Sequence, residues 1–254
     1  MKISIITCTY NSAKSLNATI KSIRDQLYSN IEYILVDAKS EDDTLKIIQE
    51  NSDVIDVWIS EKDDGIYDAI NKGINLSSGD LIVLLHSDDE FINPNTLKLI
   101  VSTFENSPQI EGIYGNLVFI DDKQTGIVNR TWKSRQFTER DYKFGWMMPH
   151  PTLILRRELF DKIGMYDPSF RISGDYEFVL RLLSSSALLL YVDETIIRMK
   201  TGGISTRGFR NFVTKFFEDV RAMRMHNVNP LVAWPLKVTS KLKQFRLMKM
   251  LQRK

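Results

Sequence analysis

Along the first 120 residues of this 254-residue chain, short continuous apolar runs alternate with segments of helical periodicity. The runs at 3–7, 31–36, 54–59 and 81–85, and a later one at 112–120, are of strand length without polar alternation. That pattern predicts strands covered on both faces. Between them, residues 15–26, 43–49 and 66–76 repeat their apolar positions as helices do. Strand–helix alternation predicts an α/β fold, with a Rossmann-like, mostly parallel central sheet flanked by helices. Ligands of such sheets sit beyond the carboxyl ends of the strands, where the strand order reverses. Three polar segments follow strands here: TCTYN at 7–11, DAKSED at 37–42 and HSDDE at 86–90, so one shared rim is expected.

Beyond about residue 140 the rhythm changes. Residues 150–155 are strand-like, 158–163 form a short helix, 175–183 a stronger helix and 188–192 a strand. From residue 209 helices are expected, broken near Asn229-Pro230 and Trp234-Pro235.

Composition changes this picture little, and charge changes it more. With 43% hydrophobic and 26% charged residues, the chain has the make-up of a folded globular protein and not of a disordered one. A lone cysteine, Cys8, excludes an intramolecular disulfide and a cysteine-based zinc cage and suits a reducing compartment. The first residues turn polar too soon for a signal-peptide core, and no apolar run approaches the roughly 20 residues of a membrane span. A cytoplasmic location is therefore expected. The net charge of +2 hides an asymmetry: residues 198–254 carry 14 Lys/Arg against two acids, a net of +12. The remainder, with 34 − 14 = 20 bases and 32 − 2 = 30 acids, carries −10. An acidic body with a basic tail implies that the tail meets something anionic.

The chemistry narrows by exclusion. No GxxxxGK[ST] or GxGxxG loop is present, so the usual phosphate cradles are missing. HExxH is absent and the chain has three histidines, which argues against a zinc hydrolase. Asp88 and Asp89, adjacent acids ending an apolar run, offer hard oxygen ligands of the kind Mg²⁺ or Mn²⁺ takes together with substrate phosphates. The alternative is that these acids cap a helix entered near Pro94.

Taken together, TCTYN, the strand-end Asp37, SEKDDGIYDAINKG at 60–73 and HSDD resemble the family 2 glycosyltransferases of GT-A fold. The branch indicated is the bacterial one that builds surface polysaccharides, including colanic-acid-type transferases. The likeness extends through HPTLILRRELFDKIGMYDPSFRISGDYEFVLRLL and covers residues 2–205. It implies a metal-dependent inverting transfer of a hexosyl group from a nucleotide-diphosphate sugar, UDP foremost, to a glycan acceptor, lipid-linked in the favoured case. Residues 1–205 would then form the transferase domain, with 1–120 as the donor half and 121–205 as the acceptor half.

The resemblance implies roles residue by residue. Thr9, Tyr10 and Asn11 fall in the loop that packs on base and ribose, and Asp37 on the acid that reads them. The family continues there with Asp or Gly-Gly before Ser, whereas this chain has Ala38-Lys39-Ser40, and Lys39 adds a cation for a phosphate. Asp63, Gly65, Asn71 and Lys72 fall in the donor site, although Lys72 and Asp68, four apart on a helix, also suit a surface ion pair. His86-Ser87-Asp88-Asp89 matches the metal motif, with Asp89 as ligand and Asp88 as ligand or diphosphate-side partner. Asp175 matches the general base, with Glu177 as fallback, and Arg181 is either a diphosphate contact or a structural partner. Trp146 and His150 fall where the acceptor enters, and Gly202-Gly203-Ile204-Ser205 matches a loop over the donor.

Residues 206–254 form a basic helical extension beyond the likeness. From residue 237 it carries seven bases and no acid, with Val238, Leu242, Phe245, Met248 and Leu251 at helical spacing. Such a stripe predicts docking on an anionic membrane surface, here the inner face of the plasma membrane, through residues 237–254. The alternative is a helix packed on the body. Nucleic acid is disfavoured because aromatics for stacking are few. Two other activities compete with sugar transfer: a Mg²⁺-dependent nucleotidyltransferase, and a membrane-docked module that binds nucleotide-sugars without turnover.

Overall fold

Successive residues of the apolar runs enter two different cores, one on each side of a sheet. Ile3 and Ile5, Tyr33 and Leu35, and Leu81 and Val83 face one core, while Ile6, Ile34, Val36, Ile82 and Leu84 face the other. Two buried faces explain why these strands lack polar alternation. The computed structural model describes residues 1–121, 128–200 and 209–251.

In chain order the elements are β1 (Ile3–Thr9), α1 (Leu16–Arg24), β2 (Ile31–Asp37), α2 (Thr44–Glu50), β3 (Val57–Ser60), α3 (Ile66–Leu76) and β4 (Leu81–Leu84). There follow β5 (Asp89–Phe91), α4 (Thr96–Asn106), β6 (Gly112–Ile120), β7 (Val128–Trp132), α5 (Glu139–Lys143), a 3₁₀ turn (His150–Thr152), β8 (Ile154–Arg156) and α6 (Arg157–Ile163). The chain continues through α7 (Gly174–Ser184), β9 (Leu189–Lys200), α8 (Phe209–Met225) and α9 (Pro230–Leu251). One nine-stranded sheet runs β3-β2-β1-β4-β8-β6-β9-β5, with β7 paired to β6. The block β3-β2-β1-β4 is wholly parallel, and β6 is parallel to β9. β8 joins β4 and β6 antiparallel, and β5 pairs antiparallel with β9. The predicted α/β class and the strands and helices of the first 85 residues stand, with boundaries shifted by up to three residues.

Two readings differ. Residues 89–91 form a strand against β9 and do not cap a helix; α4 is entered at Asn95. The break at Trp234-Pro235 does not occur, since Pro235 sits inside α9. The amide a proline lacks would have bonded the carbonyl four residues back, that of Leu231, which is highly exposed and therefore open to water. The start of the basic extension packs on the body: Ala222, Met223, Val228 and Ala233 share one core with Tyr176, Phe178 and Val179 of α7.

Candidate active site

The switch in strand order falls at β1, which has β2 on one side and β4 on the other. The loops leaving these three strands are tied together. The amide of Asn11 donates to Ser40 Oγ at 2.8 Å, and that of Ser12 to Thr44 Oγ1 at 2.8 Å. Ser12 Oγ lies 2.9 Å from Ser87 Oγ, joining TCTYN to HSDD. Asn11 holds a left-handed φ of 49° while its side-chain oxygen accepts from the Glu41 amide. Tyr10, left 62% exposed by this turn, presents its ring on the rim.

Asp37 is the knot of this rim. Its carboxylate is fully buried and accepts from Thr9 Oγ1 (3.0 Å), Ser40 Oγ (2.5 Å), the Ser40 amide (3.0 Å) and Ser60 Oγ (2.6 Å). These four donors satisfy it within the chain, so Asp37, with Thr9, ties together the loops at the rim where base and ribose are expected. Asp63 is partly exposed and accepts from the Gly65 amide at 3.0 Å; burial pushes its carboxyl above the ordinary range. Gly65 adopts φ 115°, a conformation that disfavours any side chain, and this turn starts α3.

Two α3 residues expected in the donor site are engaged within the chain. Asn71 is engaged at both ends by the backbone of Tyr166, donating at 2.8 Å and accepting at 3.0 Å. Lys72 pairs with Glu61 at 2.8 Å and Asp68 at 3.2 Å, which is the surface ion pair its spacing allowed. The sequence did not single out Tyr67, yet its hydroxyl donates to the Ile172 carbonyl at 2.8 Å and lies 3.5 Å from Asp175 Oδ1. Gly174 permits that approach, because a Cβ there would stand 2.6 Å from the Tyr67 ring.

Asp89 lies in β5, is 0% exposed, and neither of its carboxylate oxygens has a hydrogen-bond partner. Burial, with Asp88 and Glu90 alongside, pushes its carboxyl well above the ordinary range. Two orphaned buried oxygens ask for a cation or a proton. With the partly exposed Asp88 beside them they fit a divalent ion completed by substrate phosphates. Among the described residues no cluster of three His, Cys, Asp or Glu side chains stands ready to hold a metal alone. Glu90 is committed elsewhere, to Arg198 Nε at 3.1 Å.

Asp175 sits in the first turn of α7, partly exposed, and accepts from the Tyr176 amide at 2.8 Å. Burial alone would raise its carboxyl, but the charges of Lys215, His150 and Lys237, with the Tyr176 amide, hold it below the ordinary range. Burial pushes the His86 imidazole below the ordinary range, against the charges of Asp88 and Asp175.

The remaining residues singled out from the sequence are placed as follows. Glu177, the fallback base, is 2% exposed and held by Arg181 (3.0 and 2.9 Å) and His226 (2.9 Å), so it is not free to take a proton. Arg181 is thereby a structural partner; it also donates to the Ile163 and Met165 carbonyls. His150 is 5% exposed, bonded to Tyr166 Oη at 2.8 Å, and pushed down by burial to about 4. Trp146 packs on Phe137 and edge-on to Tyr114, half-buried beside a cavity of about 110 Å³ lined also by Trp132, Lys133 and Lys237. The loop Gly202-Gly203-Ile204-Ser205 lies outside the described residues.

Sequence reasoning passed over Glu218, Lys215 and Lys237, which flank the Asp175 loop. Glu218 and Asp219 were detectable as the two acids in a tail of 14 bases.

Comparison with known proteins accords with this geometry. The chain is 35% identical over 181 residues to an uncharacterized glycosyltransferase of Mycobacterium tuberculosis, covering 70% of this chain and 68% of that one. It is 28% identical over 207 residues to a PGL/p-HBAD biosynthesis glycosyltransferase of Mycobacterium bovis, covering 80% and 78%. Its fold matches S. aureus TarS residues 1–349 in complex with UDP-GlcNAc, with a TM-score of 0.67 at 17% identity over 89% of this chain and 70% of that one. It also matches the mannosyltransferase PcManGT of Pyrobaculum calidifontis in complex with GDP-Man and Mn²⁺, with a TM-score of 0.61 at 16% identity over 94% and 73%. Both likenesses are of fold, and the fold is that of GT-A glycosyltransferases. The family described as Glycosyl transferase family 2 matches residues 4–172, well over half of the sequence, and the chain belongs to that family.

Proposed function

We propose that this glycosyltransferase moves a hexosyl group, with inversion, from a nucleotide-diphosphate sugar to a hydroxyl of a glycan acceptor in surface-polysaccharide assembly. The observation that carries the reading is Asp89: a buried carboxylate without a partner, beside Asp88, at the rim where the strand order switches. UDP is the first nucleotide to test, since TarS is described with UDP-GlcNAc and with UDP, and GDP is the second, from PcManGT.

Tyr10 stacks on the base, Asn11 and Asp63 line the donor groove, and Gly65 lets the chain pass close to it. Asp88 and Asp89 would hold Mg²⁺ or Mn²⁺, which when bound offsets the charge gathering on the departing diphosphate. Asp175 accepts the proton of the acceptor hydroxyl as that oxygen attacks the anomeric carbon. The bond from that carbon to the diphosphate oxygen breaks on the opposite side, and its electron pair leaves with the diphosphate. The acceptor arrives over Trp146, and lipid linkage would bring the enzyme to the inner face of the plasma membrane through residues 241–254. Among the described residues no helix is long and apolar enough to cross a membrane.

Thermal unfolding with UDP-, GDP-, dTDP- and CMP-sugars, with and without Mn²⁺, tests donor and metal together. A Mn²⁺-dependent stabilisation by one donor, absent in Asp89→Asn, is expected. Stabilisation indifferent to metal in both proteins would remove Asp89 from the role.

A further inference from the structure

We propose that the two C-terminal helices complete the active site, Glu218 of α8 fixing the backbone that carries Asp175 while Lys215 and Lys237 set a positive field beside it. The inference rests on the reading of Asp175 as the base. These three are positioning residues, and all lie beyond residue 172, where the family match ends.

Glu218 receives three backbone hydrogen bonds, each 2.8 Å long, from the amides of Arg171, Ile172 and Ser173. These amides immediately precede α7, so a carboxylate from another helix pins the approach to its first turn. Asp175 stands two residues beyond the last of them. From the other side, the Tyr67 hydroxyl fixes the Ile172 carbonyl. The segment is therefore held from α3 and α8 at once, and a base needs such fixation to meet an acceptor hydroxyl at hydrogen-bond distance.

The lysines are equally placed. Lys215 Nζ lies 3.3 Å from Ser173 Oγ and 3.6 Å from Asp219. Lys237, buried despite its place in the basic tail, lies 3.0 Å from Asp219 and 3.1 Å from the centre of the Tyr176 ring. The two lysines stand among the two carboxylates Glu218 and Asp219, and the charges of both lysines act to lower the Asp175 carboxyl. Other groups facing Asp175 are His150, on the 3₁₀ turn, His86, after β4, Tyr67, on α3, and Tyr166, before α7. Buried His150 is neutral near pH 7, so the two lysines are the fixed positive charges of this set. A cation beside a carboxylate favours its ionised form, which is the form that accepts a proton.

The test compares full-length wild type, Asp175→Asn, Glu218→Gln, Lys215→Met, Lys215→Arg and Lys237→Met. It measures kcat and donor KM from about pH 2.5 to 8.5, with unfolding temperature as the check on folding. Glu218→Gln is expected to lower kcat by about tenfold or more with donor KM within about twofold. Lys215→Met, at a partly exposed position, is expected to move the acid limb of the kcat profile upward by roughly one pH unit, with Lys215→Arg restoring it. Lys237→Met should move it the same way, and if that variant does not fold, Lys215→Met decides. If Asp175→Asn is inactive while Glu218→Gln and Lys215→Met keep the wild-type kcat and acid limb, the inference is overturned and the base stands. Equal losses in kcat and donor KM would likewise overturn it. Full activity of Asp175→Asn would overturn the base and the inference together.

Discussion

The side chain of Asn71 and the backbone of Tyr166 form a closed pair: the amide nitrogen donates to the Tyr166 carbonyl at 2.8 Å while the Tyr166 N–H donates to Oδ1 at 3.0 Å. The pair joins α3 to the segment that leads into α7. Asn71→Ala removes both partners. A loss of roughly 1 to 3 kcal/mol per unsatisfied backbone group is expected in chemical denaturation. Donor affinity of the folded variant should stay within about twofold. A marked weakening of donor binding with unchanged stability would return Asn71 to the sugar pocket.

Asp89→Asn keeps side-chain volume while removing a buried charge that the chain itself leaves uncompensated. Without metal, its unfolding temperature should equal or exceed that of wild type, because an unpaired buried carboxylate is costly. With UDP-sugar and Mn²⁺, wild type should gain stability and the variant should not. A lower melting temperature without metal would show that Asp89 supports the fold.

Asp175→Asn should reduce turnover by roughly 10² to 10⁴, the range for loss of a general base, with donor affinity nearly unchanged. Isothermal titration with the nucleotide beside steady-state kinetics separates the two effects. Parallel losses in both would place Asp175 on the donor.

Far from the rim, Glu32 at the start of β2 supplies a pH-dependent contribution to stability. Burial alone would raise its carboxyl, but Lys2 Nζ (2.7 Å), Ser4 Oγ (2.6 Å), and the hydroxyl (2.6 Å) and amide (2.8 Å) of Ser78 bring it down to about 2. Because the folded value lies below the ordinary 4.5, its contribution is present above that value and is lost as pH falls from about 4.5 to about 2. Glu32→Gln should therefore lower stability by on the order of 3 kcal/mol at pH 7 and by much less near pH 2. Urea midpoints at the two pH values check this. An equal loss at both would mean packing, not charge, is responsible.

The tail divides at a different place from the one its charge pattern indicates. Lys237 opens the basic stretch but is buried against Asp219 and Tyr176, which leaves six bases from residue 241 onward. A chain ending at residue 240 should melt like the full one, whereas a chain ending at 236 should melt lower. If residues 241–254 dock on anionic lipid, the full chain should sediment with anionic vesicles and the 1–240 chain should not. Binding should also fade as the screening length falls from about 10 Å at 0.1 M salt to about 3 Å at 1 M. Equal sedimentation of both chains would move the contact elsewhere.

The rim was legible because charge at the end of an apolar run has few uses, so HSDD and the loop after β1 could be placed on one edge from spacing alone. What spacing could not tell is whether a polar side chain faces a ligand or a neighbour's backbone. Asn71, Lys72, Glu177 and His150 all lie near the site in sequence, yet each is engaged by the protein itself. Strand β5 gave no signal: three residues, two of them acids, form a strand because β9 offers its edge. Lys237 was hidden by its neighbours, since one buried base in a run of exposed-looking bases has no local mark.

The pairing of β5 also sets an order on synthesis. Glu90 and Arg198, partners across that ladder, are 108 positions apart, and among the described residues β5 has no other strand beside it. At about 5 to 20 residues per second, a ribosome needs roughly 5 to 20 s to bring β9 out after β5. During that interval β3-β2-β1-β4 can zip together, but its β4 edge stays open until β8 emerges, and such an edge invites pairing with other chains. The carboxylates after β4 therefore reach their places late, and the nascent chain is a half-sheet in need of protection before it is an enzyme.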